Sequence, residues 1–210
     1  MNVLSCRFGP LLVQYDERVL TPRPWTLEQS EWAAELASAA GSGAILELCA
    51  GAGHIGLAAA VLADRGLVQV EADPVAASYA RSNATRAGWS DRVEVRNVHL
   101  EEAIGAGERF SVIIADPPYL RTAEISRWPE DPPMAIDGGP DGLDLVRACL
   151  ELVARHLSDT GQLLLQIAGP GQDQHVAELL AANPLWMLSR RELRVIDAER
   201  AILLIGRTTG

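Results

Sequence analysis

The sequence predicts an α/β fold, a mostly parallel sheet covered by helices on both faces, on three observations. Strand-length apolar runs alternate with helix-length segments, a glycine-rich bend joins the first clear strand to the first clear helix, and two consecutive prolines stop the most apolar strand. Residues 44–48 are a short apolar run leading into Ala50-Gly51-Ala52-Gly53, and 55–63 then reads as a helix. Residues 67–71 are the next strand. Asp73-Pro74 opens an alanine-rich helix that Gly88 ends, since proline's missing N–H costs little in a first helical turn. Residues 93–98 alternate apolar with polar like a half-buried strand, whereas 110–115 is almost continuously apolar and suits a central parallel strand. Residues 143–157 carry apolar side chains at helical spacing, 163–167 return to a buried strand after Gly161, and 172–181 form another helix. The tail, 190–205, reads as two strands joined through Asp197-Ala198-Glu199-Arg200.

The 210 residues suit one such domain, with 41–210 as its body and 1–40 leading into it. Hydrophobic residues make up 48% and charged residues 22%, a balance that supports a packed interior. No apolar run approaches the roughly 20 residues a membrane-spanning helix needs, and no signal peptide is evident. Three cysteines without CxxC spacing fit small buried hydrophobes in a cytoplasmic protein. The net charge of −10 disfavours a nucleic-acid backbone as partner and gives weight to protein or small-molecule substrates. All 18 basic residues are arginine, which removes lysine-dependent mechanisms.

Residues 120–140 are the least regular stretch, with four prolines, Glu130-Asp131 and Asp137-Gly138-Gly139. A loop this long inside a compact domain is more often functional than idle, and Trp128, Met134 and Ile136 are poor residues for a solvated tether.

Two motifs carry chemistry. The first is Glu47-Leu48-Cys49-Ala50-Gly51-Ala52-Gly53-His54-Ile55-Gly56, at a strand end and before a helix. Its glycines let the backbone approach a ligand, and the helix start offers free N–H groups to an anionic group. Glu71 closes the next strand, where a carboxylate can accept both hydroxyls of a ribose, so an adenosine-containing cofactor is expected. Taken alone, the glycine spacing equally fits a dinucleotide. The second motif is Asp116-Pro117-Pro118-Tyr119, directly after the strand 110–115. Two prolines stiffen the backbone, so that the Asp116 carboxyl and the Pro117 carbonyl can converge on one NH₂ group while Tyr119 stacks on a planar substrate. Such a cradle would aim a nitrogen lone pair at a methyl sulfonium, and positioning alone can supply several kcal/mol of a barrier. Metal catalysis is not expected, because His54, His99, His156 and His175 show neither Hx₃H nor HExxH spacing.

At these residues the chain resembles the class I methyltransferases with an N/D-P-P-Y motif, and most closely the HemK/PrmC-like protein-glutamine N5-methyltransferases. The likeness extends to Leu20-Thr21-Pro22-Arg23-Pro24-Trp25-Thr26, a lead-in to the cofactor site, and to Ala135-Ile136-Asp137-Gly138-Gly139-Pro140-Asp141-Gly142-Leu143-Asp144, the more specific loop after the motif. It also includes Gln166-Ile167-Ala168-Gly169 with Gln172, and Asp197 with Arg200. The resemblance implies a Rossmann-like, seven-stranded sheet with one antiparallel strand, and S-adenosyl-L-methionine as cofactor. Motif and resemblance together assign cofactor contacts to Thr26, Glu47, Ala50, Gly51, Ala52, Gly53, Glu71, Ala72, His99 and Asp116, and catalysis to Asp116, Pro117 and Tyr119.

Three positions depart from the family pattern. Asp116 stands where the glutamine-modifying enzymes carry asparagine; a carboxylate accepts from NH₂ more strongly than an amide does but cannot donate to an amide carbonyl. The acceptor is therefore open between a protein glutamine, an adenine-type N6 amine and a small-molecule amine. His99 replaces an aspartate that contacts adenine and is equally a plain surface residue, and Cys49 replaces a glycine of the bend. Two other classes compete: a nicotinamide-dependent oxidoreductase, which would leave Asp116-Pro117-Pro118-Tyr119 unexplained, and a non-catalytic scaffold of the methyltransferase type.

Overall fold

The computed structural model describes residues 2–208. The chain begins with a hairpin of β1 (Leu4–Phe8) and β2 (Leu11–Tyr15), followed by α1 (Leu27–Ala39) and β3 (Ile45–Leu48). Then come α2 (His54–Ala63), β4 (Leu67–Val70), α3 (Pro74–Arg86), β5 (Val93–Arg96) and β6 (Phe110–Ala115). A one-turn helix, α4 (Pro133–Ile136), interrupts the proline-rich segment. After it follow α5 (Asp144–His156), β7 (Leu157–Ile167), α6 (Gly169–Ala182), β8 (Leu188–Asp197) and β9 (Arg200–Arg207).

Seven strands pair in the order β5-β4-β3-β6-β7-β9-β8, and β9 alone runs against its neighbours. This is the Rossmann-like sheet expected from the sequence. The chain steps outward from β3 to β4 and β5, then returns to the other side of β3 with β6, so the strand order reverses between β3 and β6. Ligands of open α/β sheets bind at such a reversal, beyond the carboxyl ends of the strands. The parallel register sets Leu48 opposite Ala115, so the glycine-bearing bend and Asp116 leave adjacent strands at the same level.

Helices α1, α2 and α3 cover one face of the sheet, where Trp32, Ile55, Leu57 and Ala84 pack on Ile114 and Leu164. Helices α5 and α6 cover the other, where Val146, Leu150 and Val176 pack on Leu46, Ile113 and Leu165. Ile113, Ile114, Leu163 and Leu164 are fully buried, and each such side chain stabilises the fold by about 1.5–3 kcal/mol. Among the described residues no helix is long and apolar enough to cross a membrane.

The sequence reading contained neither the β1–β2 hairpin nor α1. The buried face of α1 includes Gln29 and Ser30 beside Trp32 and Ala33, so polar residues dilute its apolar stripe. The side-chain amide of Gln29, fully buried, donates to the Ala115 and Leu164 carbonyls at 3.1 Å each, which ties α1 to the end of β6 and to β7 beside it. The hairpin turns at Gly9, which adopts a left-handed φ of 51°. It is held to the glycine-bearing bend by Asn83 of α3, whose amide donates to the Gln14 and Ala52 carbonyls while its oxygen accepts the Gln14 N–H. Replacing Asn83 with alanine strands these buried groups, each costing about 1–3 kcal/mol when left unpaired. Asn83→Ala is expected to lower the urea midpoint by the equivalent of about 2–4 kcal/mol, read from denaturation curves of both proteins.

Candidate active site

Between β3 and α2 the backbone turns through left-handed conformations at Cys49 (φ 57°), Gly51 (φ 55°) and Gly53 (φ 78°). The two glycines accept this without strain, whereas Cys49 occupies a conformation that costs a side-chain-bearing residue about 1–2 kcal/mol. A methyl group built on Gly53 would lie 2.7 Å from the Gln69 amide and 2.8 Å from the Ala80 side chain. One built on Gly51 meets nothing within 4 Å. Gly53 is thus a packing requirement, and Gly51 borders open space.

Glu71, just past β4, ties the bend to the start of α3 on one side of the crevice at the strand-order reversal. Its carboxylate accepts the Gly51 N–H at 2.6 Å on one oxygen and the Asp73 N–H at 2.8 Å on the other. Burial raises its pKa above the ordinary value. Each oxygen keeps a further lone pair for a hydroxyl donor. Ala72 beside it is exposed, and Asn97 clamps both residues by donating to their carbonyls at 2.8 and 3.0 Å. Asn97 was not among the expected contacts, although it is the first polar amide after β5. His99, two residues on, is exposed.

Glu47 lies inside. Its carboxylate accepts the Gly56 N–H at 2.8 Å and the Gln69 amide at 2.6 Å, and the same Gln69 amide reaches the Gly53 carbonyl at 2.8 Å. Glu47 therefore braces the bend from beneath, with Ala50 and Ala52 buried above it. Burial pushes its carboxyl up to about 7.

On the other side of the crevice stands Asp116, half-buried, followed by two residues that have no N–H to offer. The contrast is Asp73, whose carboxylate accepts the Val75 and Ala76 N–H groups at 2.6 and 3.1 Å. Without such donors, burial alone pushes the Asp116 carboxyl up to about 7. Asp116, Pro117 and Tyr119 line a pocket of about 410 Å³, a size that suits a small ligand or one inserted side chain. Tyr119 is half-buried there, and its phenol is shifted upward by burial and then by Asp116, which keeps it neutral.

The remaining walls come from distant segments. Thr26 is buried at the pocket edge, its hydroxyl donating to the Arg23 carbonyl at 2.8 Å. Arg23 donates to both oxygens of the buried Asp131 at 2.5 and 2.6 Å, which fastens the proline-rich segment to the lead-in. Arg200, at the start of β9, lies 3.7 Å above the Trp25 ring, and Arg127 lies 4.9 Å above Trp128. The irregular segment is thus a wall of the pocket, as its length and its tryptophan suggested. The sequence placed Trp25 in the lead-in and Arg200 in the closing turn but gave neither these two nor Asp131 a contact at the pocket, because their partners lie far along the chain.

The loop after the motif backs this pocket. The Gly138 N–H donates to the Leu120 carbonyl at 2.8 Å, the Leu120 N–H donates to the Ile136 carbonyl at 3.1 Å, and a methyl group on Gly138 would strike the Pro118 carbonyl at 2.7 Å. Asp137-Gly138-Gly139 therefore packs backbone against backbone on the 116–119 turn.

The Glu47 carboxyl has a pH consequence. A carboxyl raised from 4.5 to about 7 binds its proton more tightly in the native state, so the stability it contributes is full below about 4.5 and lost as the pH climbs through 7. Urea midpoints are expected to fall between pH 6 and pH 8, and Glu47→Gln to flatten that fall by an amount on the order of 1 kcal/mol. An unchanged pH slope in the variant would contradict the assignment.

Comparison with known proteins agrees with this geometry. The family model described as "Conserved hypothetical protein 95" matches residues 27–128. The chain is 36% identical to a release factor glutamine methyltransferase of Mycolicibacterium smegmatis, over 77% of this chain and 58% of that protein. It is 32% identical to a tRNA1(Val) (adenine(37)-N6)-methyltransferase of Shewanella amazonensis, over 78% of this chain and 70% of that protein. Among solved structures, a methyltransferase from Pyrococcus furiosus superposes with a TM-score of 0.69 at 18% identity, covering 96% of this chain and 91% of that one. Of two relatives named for glutamine methylation, the chain spans 49% and 64% of their length. By the Shewanella match, which spans 70% of that protein, and by the motif that lines its pocket, the chain belongs to the class I S-adenosylmethionine-dependent methyltransferases that carry an N/D-P-P-Y motif.

Proposed function

We propose that the protein transfers a methyl group to a planar amide or amino nitrogen, with a protein glutamine as acceptor. The observation that carries this reading is the pairing of Leu48 with Ala115, which brings a crevice suited to an adenosine cofactor and a pocket suited to an NH₂ group against the same strand ends. Gly51, Glu71, Ala72 and Thr26 would hold S-adenosyl-L-methionine, and the open space at Gly51 with the free lone pairs of Glu71 fits that group. When bound, it supplies an electrophilic methyl group.

The chain's own residues do the positioning. Asp116 and the Pro117 carbonyl accept the two N–H groups of the acceptor, which leaves the nitrogen lone pair pointing away from them, toward the crevice. Tyr119 and Trp25 supply flat walls for a planar group. The proton that the nitrogen sheds goes to an Asp116 oxygen or to water, so orientation outweighs acid–base catalysis.

Charge supports a protein acceptor. The arginines around the pocket are matched by carboxylates: Arg23 by Asp131, Arg200 by Asp197, and Arg127 by Glu199 at 4.0 Å. Little positive potential is left for a phosphate backbone. The identity to the adenine-modifying relative, with aspartate at position 116, supports a second reading in which a nucleobase amine is the acceptor. The same reading puts the reaction in the cytoplasm, in keeping with three free cysteines.

Incubating the protein with tritiated S-adenosyl-L-methionine and a fractionated cell extract is expected to label protein. Label in nucleic acid selects the second reading, and no label in any fraction overturns both. Asp116→Ala should lower transfer at least 100-fold while calorimetric affinity for S-adenosyl-L-methionine falls no more than a few-fold; equal loss of both would remove Asp116 from the acceptor side.

A further inference from the structure

Gln172, on the first turn of α6, makes three hydrogen bonds to three segments. Its side-chain oxygen accepts the Ala168 N–H at 2.7 Å. Its amide nitrogen donates to the Tyr119 carbonyl at 3.1 Å and to the Gly142 carbonyl at 3.2 Å. The first bond is a helix cap, a Gln reaching back to the N–H of the residue before the helix. The other two have no part in capping: they join the end of the 116–119 turn to the end of the loop that backs it.

The surroundings leave little freedom for that joint. Gly142 has a φ of 77°, and a methyl group there would lie 2.5 Å from the Tyr119 carbonyl and 3.2 Å from the Gln172 amide nitrogen. A methyl group on Gly169 (φ 60°) would lie 2.5 Å from the Ala198 carbonyl. The two chains meeting at each contact are therefore pressed backbone to backbone. Tyr119, Ala168 and Ala198 all line the pocket. One amide thus ties the end of the motif turn, the loop behind it and the start of α6 together.

We infer that Gln172 is a positioning residue for methyl transfer: its NH₂ group holds the Tyr119 carbonyl against Gly142 and so sets where the Asp116–Tyr119 cradle presents the acceptor nitrogen. This inference rests on the reading of residues 116–119 as the acceptor cradle. A displacement near 1 Å at such a site is enough to cost on the order of 100-fold in rate.

Glutamate is the discriminating substitution. Gln172→Glu keeps an oxygen for the Ala168 N–H and so keeps the cap, but it turns an ionised oxygen toward two carbonyls that have lost their donor. Facing two carbonyls and half-buried, that glutamate is held above its ordinary carboxyl range, and its protonation near pH 6 restores one donor. The variant is compared with the wild-type protein by tritium transfer from S-adenosyl-L-methionine into the protein fraction of a cell extract, by calorimetric titration with S-adenosyl-L-methionine, and by thermal unfolding. The expected result at pH 8 is a loss of turnover of 10-fold or more, with cofactor affinity within about 3-fold of wild type. The ratio of variant to wild-type turnover is expected to rise at least 3-fold on moving to pH 6. Turnover equal to wild type at both pH values overturns the inference. So does a loss that tracks thermal stability, falls equally on cofactor affinity, or shows no recovery at pH 6. Absence of transfer by the wild-type protein instead counts against the proposed function and is read before the variant is scored.

Discussion

The parallel pairing of β3 with β6 is the constraint on which the site depends. Neither strand carries chemistry, yet setting Leu48 level with Ala115 brings the ends of two unrelated motifs to one place. The motifs then diverge in how they are held. The glycine-bearing bend is braced from below by buried side chains, Glu47 and Gln69, whereas the 116–119 turn is backed by the backbone of residues 137–142. Glycine is needed in both places, at Gly53 and Gly56 to admit side chains and at Gly138 and Gly142 to admit carbonyls.

Two carboxyls near this junction, the buried Glu47 and the half-buried Asp116, have pKa values raised to about 7 by desolvation and serve different ends. Glu47 has its donors inside the fold and stays with them. Asp116 is denied donors by the prolines that follow it, so its hydrogen-bonding capacity is left for whatever enters the pocket. The raised value also softens the contrast between aspartate and asparagine at this position, because a carboxyl that retains its proton near neutrality both donates and accepts.

The succession of strands and helices from β3 onward, the two motifs and the β8–β9 turn were legible in the sequence because each rests on local pattern: apolar runs, a glycine bend, a proline stop. Helix α1 was not, since Gln29 and Ser30 on its buried face find their place only against the sheet. The role of Glu47 was misjudged by position alone. It sits in the motif, but its side chain alternates inward from β3, and only the location of Gln69 on the neighbouring strand reveals the brace. Arg23, Trp25, Asp131 and Arg200 were visible as residues and opaque as a group, because ion pairs and cation–ring contacts between segments far apart leave no spacing to read.

That dispersal has a consequence for biosynthesis. The partners of Glu71, from Gly51 to Asn97, are all present once β3 to β5 have been made, whereas the pocket mouth needs Trp25 from before β3 and Arg200 from after β8. A nascent chain can therefore brace Glu71 well before Arg200 exists to stack on Trp25, and the pocket mouth is the later of the two to form.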